Sequence, residues 1–395
     1  MVAALDAEVL IVGAGPAGAA AGLDLARAGV SVLMLDRPDG SPGKPCAGGV
    51  TIKALARFRV DIGPVVRESV SAIDMSHAGR WPDRFEAPRT VCLMTHRPEL
   101  DRLHRDAAVA AGVQSATLHG LAQVAQSGDG VSVTGKDGRV FRARWLIAAD
   151  GAHSPVRRLV LGQPEGVTAV AIEGLLDRAL CGADWPGMQL DFADQPGGYG
   201  WLFPKGDHVN VGLYSRNVRR HGVSRERLLD YARRRLGSDQ LTCVQGYPIP
   251  VNADQRRITA GRVLFAGDAA GMAEALLGEG IYGALLSGQM AAAALLPGGL
   301  SSVAKASSAT EVASRYEMLI SSWRREVRVI RQLARAFYRT LPGGYALLRL
   351  GLHRPLMQGF AAGLTLVESK RVWLSPGTAA DKPPGYRQTS GERRG

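Results

Sequence analysis

"AEVLIVGAGPAGAAAGLDLARAGVSVLMLD", residues 7 to 36, decides the fold. It reads as strand, glycine turn, helix, strand. Glu8 to Val12 is a short apolar run, as expected of a parallel strand buried on both faces. Gly13, Gly15 and Gly18 follow as GxGxxG. Gly13 permits the tight turn, Gly15 lets the backbone approach a pyrophosphate, and Gly18 lets the helix pack on the strand. The helix start near Pro16 and Ala17 offers unpaired N–H groups to phosphate. Ser31 to Leu35 is the second strand. Asp36 follows, 18 residues after Gly18, placed to accept a hydrogen bond from a ribose 2′-OH. Strand, helix and distal acid are all present, so the context of a dinucleotide site is complete. The motif alone does not separate NAD from FAD.

Two later stretches choose between them. "RWLIAADGAHSPVRR", 144 to 158, is an apolar strand ending at Asp150-Gly151, with Ser154 and Arg157 beyond. "RVLFAGDAAGMAEALLGEGI", 262 to 281, is another, ending at Gly267-Asp268. Both put a carboxylate at the carboxyl edge of a sheet, where ligands of open α/β sheets bind. Asp268 is placed to hold ribityl hydroxyls, and the backbone at Gly278, Gly280 and Ile281 to lie against a flavin ring. GxGxxG, DGxxSxxR and GD in this order resemble the flavoprotein superfamily of para-hydroxybenzoate hydroxylase, which binds FAD. "RPELDRLHRDAAVAAG", 97 to 112, is similar to that superfamily's RxxLDxxL helix, with His104 where the last leucine is usual. The resemblance implies that Arg97 approaches the FAD phosphates and that Asp150 belongs to the cofactor site.

"KPCAGG", 44 to 49, puts Cys46 in a glycine-rich loop just past the second strand. "GGYGWLFPKGDHVNVGLYS", 197 to 215, carries YxWxFP at Tyr199, Trp201, Phe203 and Pro204. Together with the wording of the GD region, these resemble one branch of the superfamily, the geranylgeranyl reductases, over roughly residues 7 to 300. This chain departs from that branch at Ala47, where glycine is common, and at Asp36, which replaces Glu. Ala275 and Leu277 replace Pro and Thr. The resemblance places Cys46 and Ala47 beside the flavin and the substrate double bond. Cys46 would then act as an acid, with Lys44 the cation placed to favour its thiolate, or simply pack the loop against FAD. Read on their own, Tyr199, Trp201 and Phe203 alternate and so face one side of a strand. Lys205-Gly206-Asp207 reads as a hairpin turn, and Val209, Val211 and Leu213 alternate on the return strand. Pattern alone fits an aromatic core as well as a pocket for an apolar chain; the resemblance favours the pocket.

The expected fold class is α/β: a Rossmann-type FAD-binding domain, an inserted antiparallel-sheet substrate domain and a helical C-terminal region. Residues 1–60, 96–165 and 246–300 are assigned to the first, 61–95 and 166–245 to the second, and 301–374 to the third. Residues 375–395 read as a disordered tail of Gly, Pro and charge. A hairpin is expected around Lys136-Asp137-Gly138, a basic helix capped by Ser224 over 223–237, and a buried helix over 269–300. Over 311–340, Arg324, Arg328, Arg331, Arg335 and Arg339 share one helical face, and Trp323, Val327, Ile330 and Phe337 another. Such a helix either rests on an anionic membrane or packs on the protein with a solvated basic face.

Four cysteines without CxxC spacing and eight histidines without HExxH argue against a metal site and against a disulfide framework. A cytoplasmic protein is the default, with peripheral contact at the inner face of the membrane as an option. The net charge of +12 calls for an anionic partner, and no nucleic-acid motif is present. The reading that results is an FAD-dependent reductase that saturates C=C bonds of a polyprenyl, geranylgeranyl-type lipid by hydride transfer from reduced flavin. The external reductant would be NADPH or a ferredoxin-like donor. The alternatives are an FAD-dependent monooxygenase or halogenase of the same superfamily, and a non-catalytic flavin-binding partner protein.

Overall fold

The computed structural model describes residues 5–38, 43–162, 168–182, 187–216, 218, 222–296, 308–347, 353–366 and 368–369. The run at the N-terminus forms the strand Ala7–Val12, whose Val9, Leu10 and Ile11 are fully buried. It pairs in parallel with Val32–Asp36 on one side and Val140–Ala148 on the other. The eight-stranded sheet runs from Thr259–Ala260 through Val263–Phe265, Val140–Ala148, Ala7–Val12 and Val32–Asp36 to Gln114–Thr117. Val131–Gly135 joins it antiparallel to Val140–Ala148, through the turn expected at Lys136 to Gly138, and Leu121–Gln126 adds an eighth strand antiparallel to Val131–Gly135. The first helix, Pro16–Arg27, packs closely on the helix Ile281–Leu295. A Cβ at Gly288 would collide with the Ala17 carbonyl, so a small residue is required at that crossing.

The second sheet has seven strands, in the order Thr242–Pro248, Val170–Asp177, His208–Ser215, Gly198–Pro204, Gln189–Phe192, Ala72–His77 and Arg80–Glu86. All pairings are antiparallel except one: Gln189–Phe192 lies parallel to Ala72–His77. One face buries Leu202, Val209, Val211 and Leu213 under the helix Arg225–Leu236, whose N-cap Ser224 accepts from the Arg227 N–H. The other face looks across a cavity toward the first sheet. A small third sheet joins Gly49–Thr51, Cys92–Thr95 and Val66–Val70. The chain is therefore α/β, with a Rossmann-like parallel sheet, a largely antiparallel second sheet and C-terminal helices.

Two expectations need correction. Residues 269–300 are not one helix. Gly267–Ala270 is a 3-10 turn, and the α-helix spans only Ile281–Leu295. Gly271 and Gly278 adopt φ of +72°, which breaks a helix, and the buried Glu274 carboxylate holds the loop by accepting the N–H groups of Leu276, Leu277 and Glu279. The basic face of the long helix Ala309–Arg339 is not simply solvated either. Arg324 donates to the carbonyls of Ala253 and Arg256, and Arg331 makes a two-pronged pair with Asp254 at 3.1 and 2.6 Å. Buried loop carbonyls without a sheet partner need donors, and these arginines supply them. No helix among the described residues is long and apolar enough to cross a membrane. The tail expected over 375–395 lies outside the described residues.

His104, at the position where the motif's leucine is usual, lies inside the helix Arg97–Ala110. It is 1% exposed, stacks on Phe58, and neither ring nitrogen has a hydrogen-bond partner among the described residues. Burial lowers its pKa from 6.5 to about 4. Between those values only the unfolded chain binds the proton, so stability falls as pH is lowered from 6.5 toward 4. His104→Leu is expected to raise stability at pH 7 by about 1–3 kcal/mol, the usual cost of an unsatisfied buried polar group. It should also flatten the acid limb of the stability curve. Urea melts at pH 7, 6 and 5 would show both effects.

Candidate active site

Between the two large sheets runs a cavity of about 890 Å³. At one end lies the glycine turn. Gly13 has φ of +101°, and a Cβ at Gly18 would collide with the Gly13 carbonyl. A Cβ at Gly15 would meet nothing within 4 Å, so the backbone there opens onto the cavity. The first helix starts at Pro16 with no side-chain cap, which leaves the Ala17 and Gly18 N–H groups available to an anion. The strand beside it ends at Asp36, which lines the same cavity with its carboxylate 3.8 Å from Arg105. This cradle has the donors, the acid and the open backbone that the diphosphate and ribose of a dinucleotide need.

Arg97 is buried at the start of its helix and held by Asp101 at 3.1 and 3.0 Å. Asp150 lines the cavity, yet both its oxygens are engaged by its own turn, by Ser154 Oγ at 2.7 Å and the Val156 N–H at 2.8 Å. Burial nonetheless raises its pKa to about 6. Arg157 of the same motif donates to the carbonyls of Arg257 and Ala269 and faces the Phe265 ring, tying the DG turn to the GD segment. Asp268 is paired with Lys44. Gly278, Gly280 and Ile281 line the cavity beside it.

Cys46 sits at the junction of the two halves, with its sulfur 3.4 Å from the Gly48 N–H. Lys44 was the cation expected to act on it. That ammonium is paired with Asp268 and also interacts with Cys46, and the other cations around the thiol include Arg97 and Lys205. Ala47 packs against the aromatic cluster of the second sheet. Tyr199, Trp201 and Phe203 all line the cavity, with neighbouring ring centroids 5.9 and 6.4 Å apart. Their polar tips are satisfied: Tyr199 donates to the Leu277 carbonyl at 2.6 Å, and the Trp201 indole to Asn210 at 2.7 Å. What faces the cavity is apolar ring surface. Tyr214 adds to this wall, and Met357, Phe360 and Leu364 from the C-terminal segment also line the cavity.

Several residues at the site escaped the sequence reading. Lys205, read only as part of a turn, is 3% exposed and donates to the Thr95 carbonyl at 2.6 Å. The period of two that selects 199, 201 and 203 also selects 205, so the signal was present. Glu173 lines the cavity within an otherwise apolar strand, Val170–Asp177, where no periodicity marks it.

Comparison with known proteins agrees with this geometry. The FAD binding domain family matches residues 6–295. A menaquinone reductase of Mycobacterium tuberculosis is 32% identical over 73% of this chain and 76% of its own length. A geranylgeranyl diphosphate reductase of Rhodobacter capsulatus is 30% identical over 73% of this chain and 75% of its own. Among solved structures, a geranylgeranyl bacteriochlorophyll reductase-like protein from Thermoplasma acidophilum shares the fold. Its TM-score is 0.68 at 23% identity, covering 83% of this chain and 87% of that one. The chain thus belongs to the FAD binding domain family, in its geranylgeranyl reductase branch, and is an FAD-dependent oxidoreductase.

Proposed function

We propose that this oxidoreductase reduces isolated C=C bonds in the chain of a polyprenyl lipid. One observation carries the reading: the cofactor cradle is continuous with a largely apolar cavity lined by aromatic side chains, with the Cys46 thiol at the junction. An apolar chain fits such a wall without leaving buried polar groups unpaired. The names of the relatives support a prenylated substrate. FAD, when bound, supplies the hydride. The chain's own groups do the rest. The N–H groups of Ala17 and Gly18 beside Gly13 and Gly15 would hold the pyrophosphate, with Arg97 adding charge. Asp36 would take the ribose. Asp268 would offer its Oδ1, the oxygen not paired with Lys44, to the ribityl chain, beside the backbone of Gly278 to Ile281. Asp150 would act through its turn, shaping the cradle.

An isolated alkene accepts hydride poorly unless a proton arrives with it. The Cys46 thiol stands where an acid is needed, and the faces of Tyr199 and Trp201 would stabilise the positive charge that develops on the substrate carbons. The electron donor would be NADPH or a ferredoxin-like protein. The exposed arginines of the long C-terminal helix would meet an anionic membrane surface, from which a polyprenyl lipid must be drawn.

The cradle reading predicts that Gly15→Val folds normally, because nothing lies within 4 Å of the new Cβ, yet purifies without flavin. The ratio of visible to ultraviolet absorbance, alongside a thermal melt, checks this. The prenyl reading is tested by product mass. The dithionite-reduced protein, mixed with geranylgeranyl lipids, is expected to add hydrogen pairs without oxygen. Oxygen atoms added only in air would mean a monooxygenase instead. Trp201→Ala should cost long prenyl chains about tenfold more in kcat/KM than short ones, the scale of one lost aromatic contact. Equal losses would remove the aromatic wall from substrate binding.

A further inference from the structure

Behind Cys46 stand two ionisable side chains, the half-buried Glu173 and the buried Lys205, that have no part in the cofactor cradle or the aromatic wall. Glu173 is in register with Gly212 on the next strand, and Gly212 with Trp201 on the one after, so the three share the cavity face. A Cβ at Gly212 would collide with the Trp201 indole, which lies over the vacant position and donates to Asn210. The Asn210 amide and the Cys46 backbone N–H are the hydrogen-bonding groups that face Glu173. Lys205 comes from below. A Cβ at Gly48 would collide with its ammonium, and Thr95, whose carbonyl takes that ammonium, donates to the Gly48 carbonyl at 2.9 Å. The ammonium is therefore pressed against the underside of the Cys46–Gly48 loop. Arg97, held by Asp101, reaches the Cys46 sulfur from the start of its helix.

The charged and titratable groups around this centre come from several elements. Glu173 meets Lys205 and Arg97. Lys205 also meets Cys46 and Cys92, His96 feels it from the adjacent loop, and Lys44 and Tyr199 face Cys46 from its own loop and from the aromatic wall. Burial raises the pKa of Glu173 against the pull of Lys205. Burial likewise lowers Lys205 to about 8. Cys92 is pushed up to about 12 and stays a thiol.

We propose that Glu173 and Lys205 form a proton relay behind Cys46. Lys205 and Arg97 hold the thiolate that Cys46 becomes on giving up its proton, and Glu173 supplies the proton that restores the thiol. The inference rests on the prenyl-reductase reading. In the reaction, hydride from reduced flavin forms a C–H bond at one alkene carbon as the π bond breaks. The S–H bond of Cys46 breaks, and its proton forms a C–H bond at the neighbouring carbon. The O–H bond of protonated Glu173 then breaks as the S–H bond reforms, and solvent returns one proton to the carboxylate. The sum is one hydride and one solvent proton added per double bond. Glu173 and Lys205 act through Cys46, so they are positioning residues.

The test needs no substrate for its first arm. The flavin-bound protein is alkylated with iodoacetamide across pH, and the Cys46 peptide is followed by mass spectrometry, because Cys243 is exposed and also reacts. Lys205→Met is expected to move the pH midpoint of Cys46 alkylation up by about one unit, tenfold in thiolate population. At a pH above that at which Glu173 ionises, its carboxylate opposes the thiolate, so Glu173→Gln should move the midpoint down, and Glu173→Asp should restore it. Lys205→Gln serves if the methionine variant does not fold. Midpoints unmoved in both charge-removing variants would overturn the relay. The second arm is repeated turnover of geranylgeranyl diphosphate with dithionite as reductant, because the first transfer uses the proton already on Cys46 and only later cycles need it restored. Glu173→Gln should slow it about tenfold or more while flavin reduction by dithionite is unchanged. Unslowed turnover would also overturn the relay. If the wild type reduces no prenyl lipid but the paired shifts appear, the prenyl reading falls while the electrostatic coupling around Cys46 stands.

Discussion

Everything at the cofactor end depends on the register of four parallel strands. Leu35, Val12, Ala148 and Phe265 lie side by side across the sheet. Just beyond that row each strand delivers its turn: Asp36, Gly13, Asp150 and Gly267-Asp268. A slip of one residue in any pairing would turn that strand's buried side chains to the opposite face, so the buried interior enforces the alignment. Three carboxylates from distant parts of the chain thus arrive at one edge without touching one another. They coexist because each has its own counterpart: Asp36 faces Arg105, Asp150 is absorbed by its turn, and Asp268 takes Lys44.

The same edge explains part of the excess of cations. Loops around 253–257 and 269 carry buried carbonyls that no strand satisfies. Arg157 and Arg324 reach in and donate to them. A guanidinium has five donors in a planar fork, so one side chain can tie two segments together. The charge of +12 is therefore only partly a surface property.

Much of this was legible in the sequence, for reasons that also explain the omissions. The glycine turn, the DG and GD strand ends and the alternating rings each follow from backbone geometry that short patterns express directly. The direction of a loop side chain does not. Lys44 stands two residues from Cys46 and interacts with it, yet its ion pair is with Asp268, which comes from a strand end 224 residues away that no local pattern indicates. Apolar composition over 269–300 hid two left-handed glycines, so a loop that lines the cavity read as helix. Glu173 is the single charge within the apolar run "VAIEGLL", but only the pairing of Val170–Asp177 with His208–Ser215 shows that it lies beside the indole and not in solvent. Met357 and Phe360, which line the cavity and pack on the aromatic cluster, come from a segment beyond the reach of the motifs.

The parallel junction between Gln189–Phe192 and Ala72–His77 has a consequence for how the chain assembles. The stretch that separates those partners contains much of the cofactor half: the Arg97 helix, the strand Val140–Ala148 and the DG turn. The aromatic sheet cannot close until that stretch has been looped out and brought back, a contact of high sequence separation with a large entropic cost. The aromatic sheet is thus assembled from segments that are not continuous in the sequence. The binding wall for the chain is completed only by a protein that has already built its nucleotide fold, so a flavin captured at that stage would draw the whole molecule toward its native state.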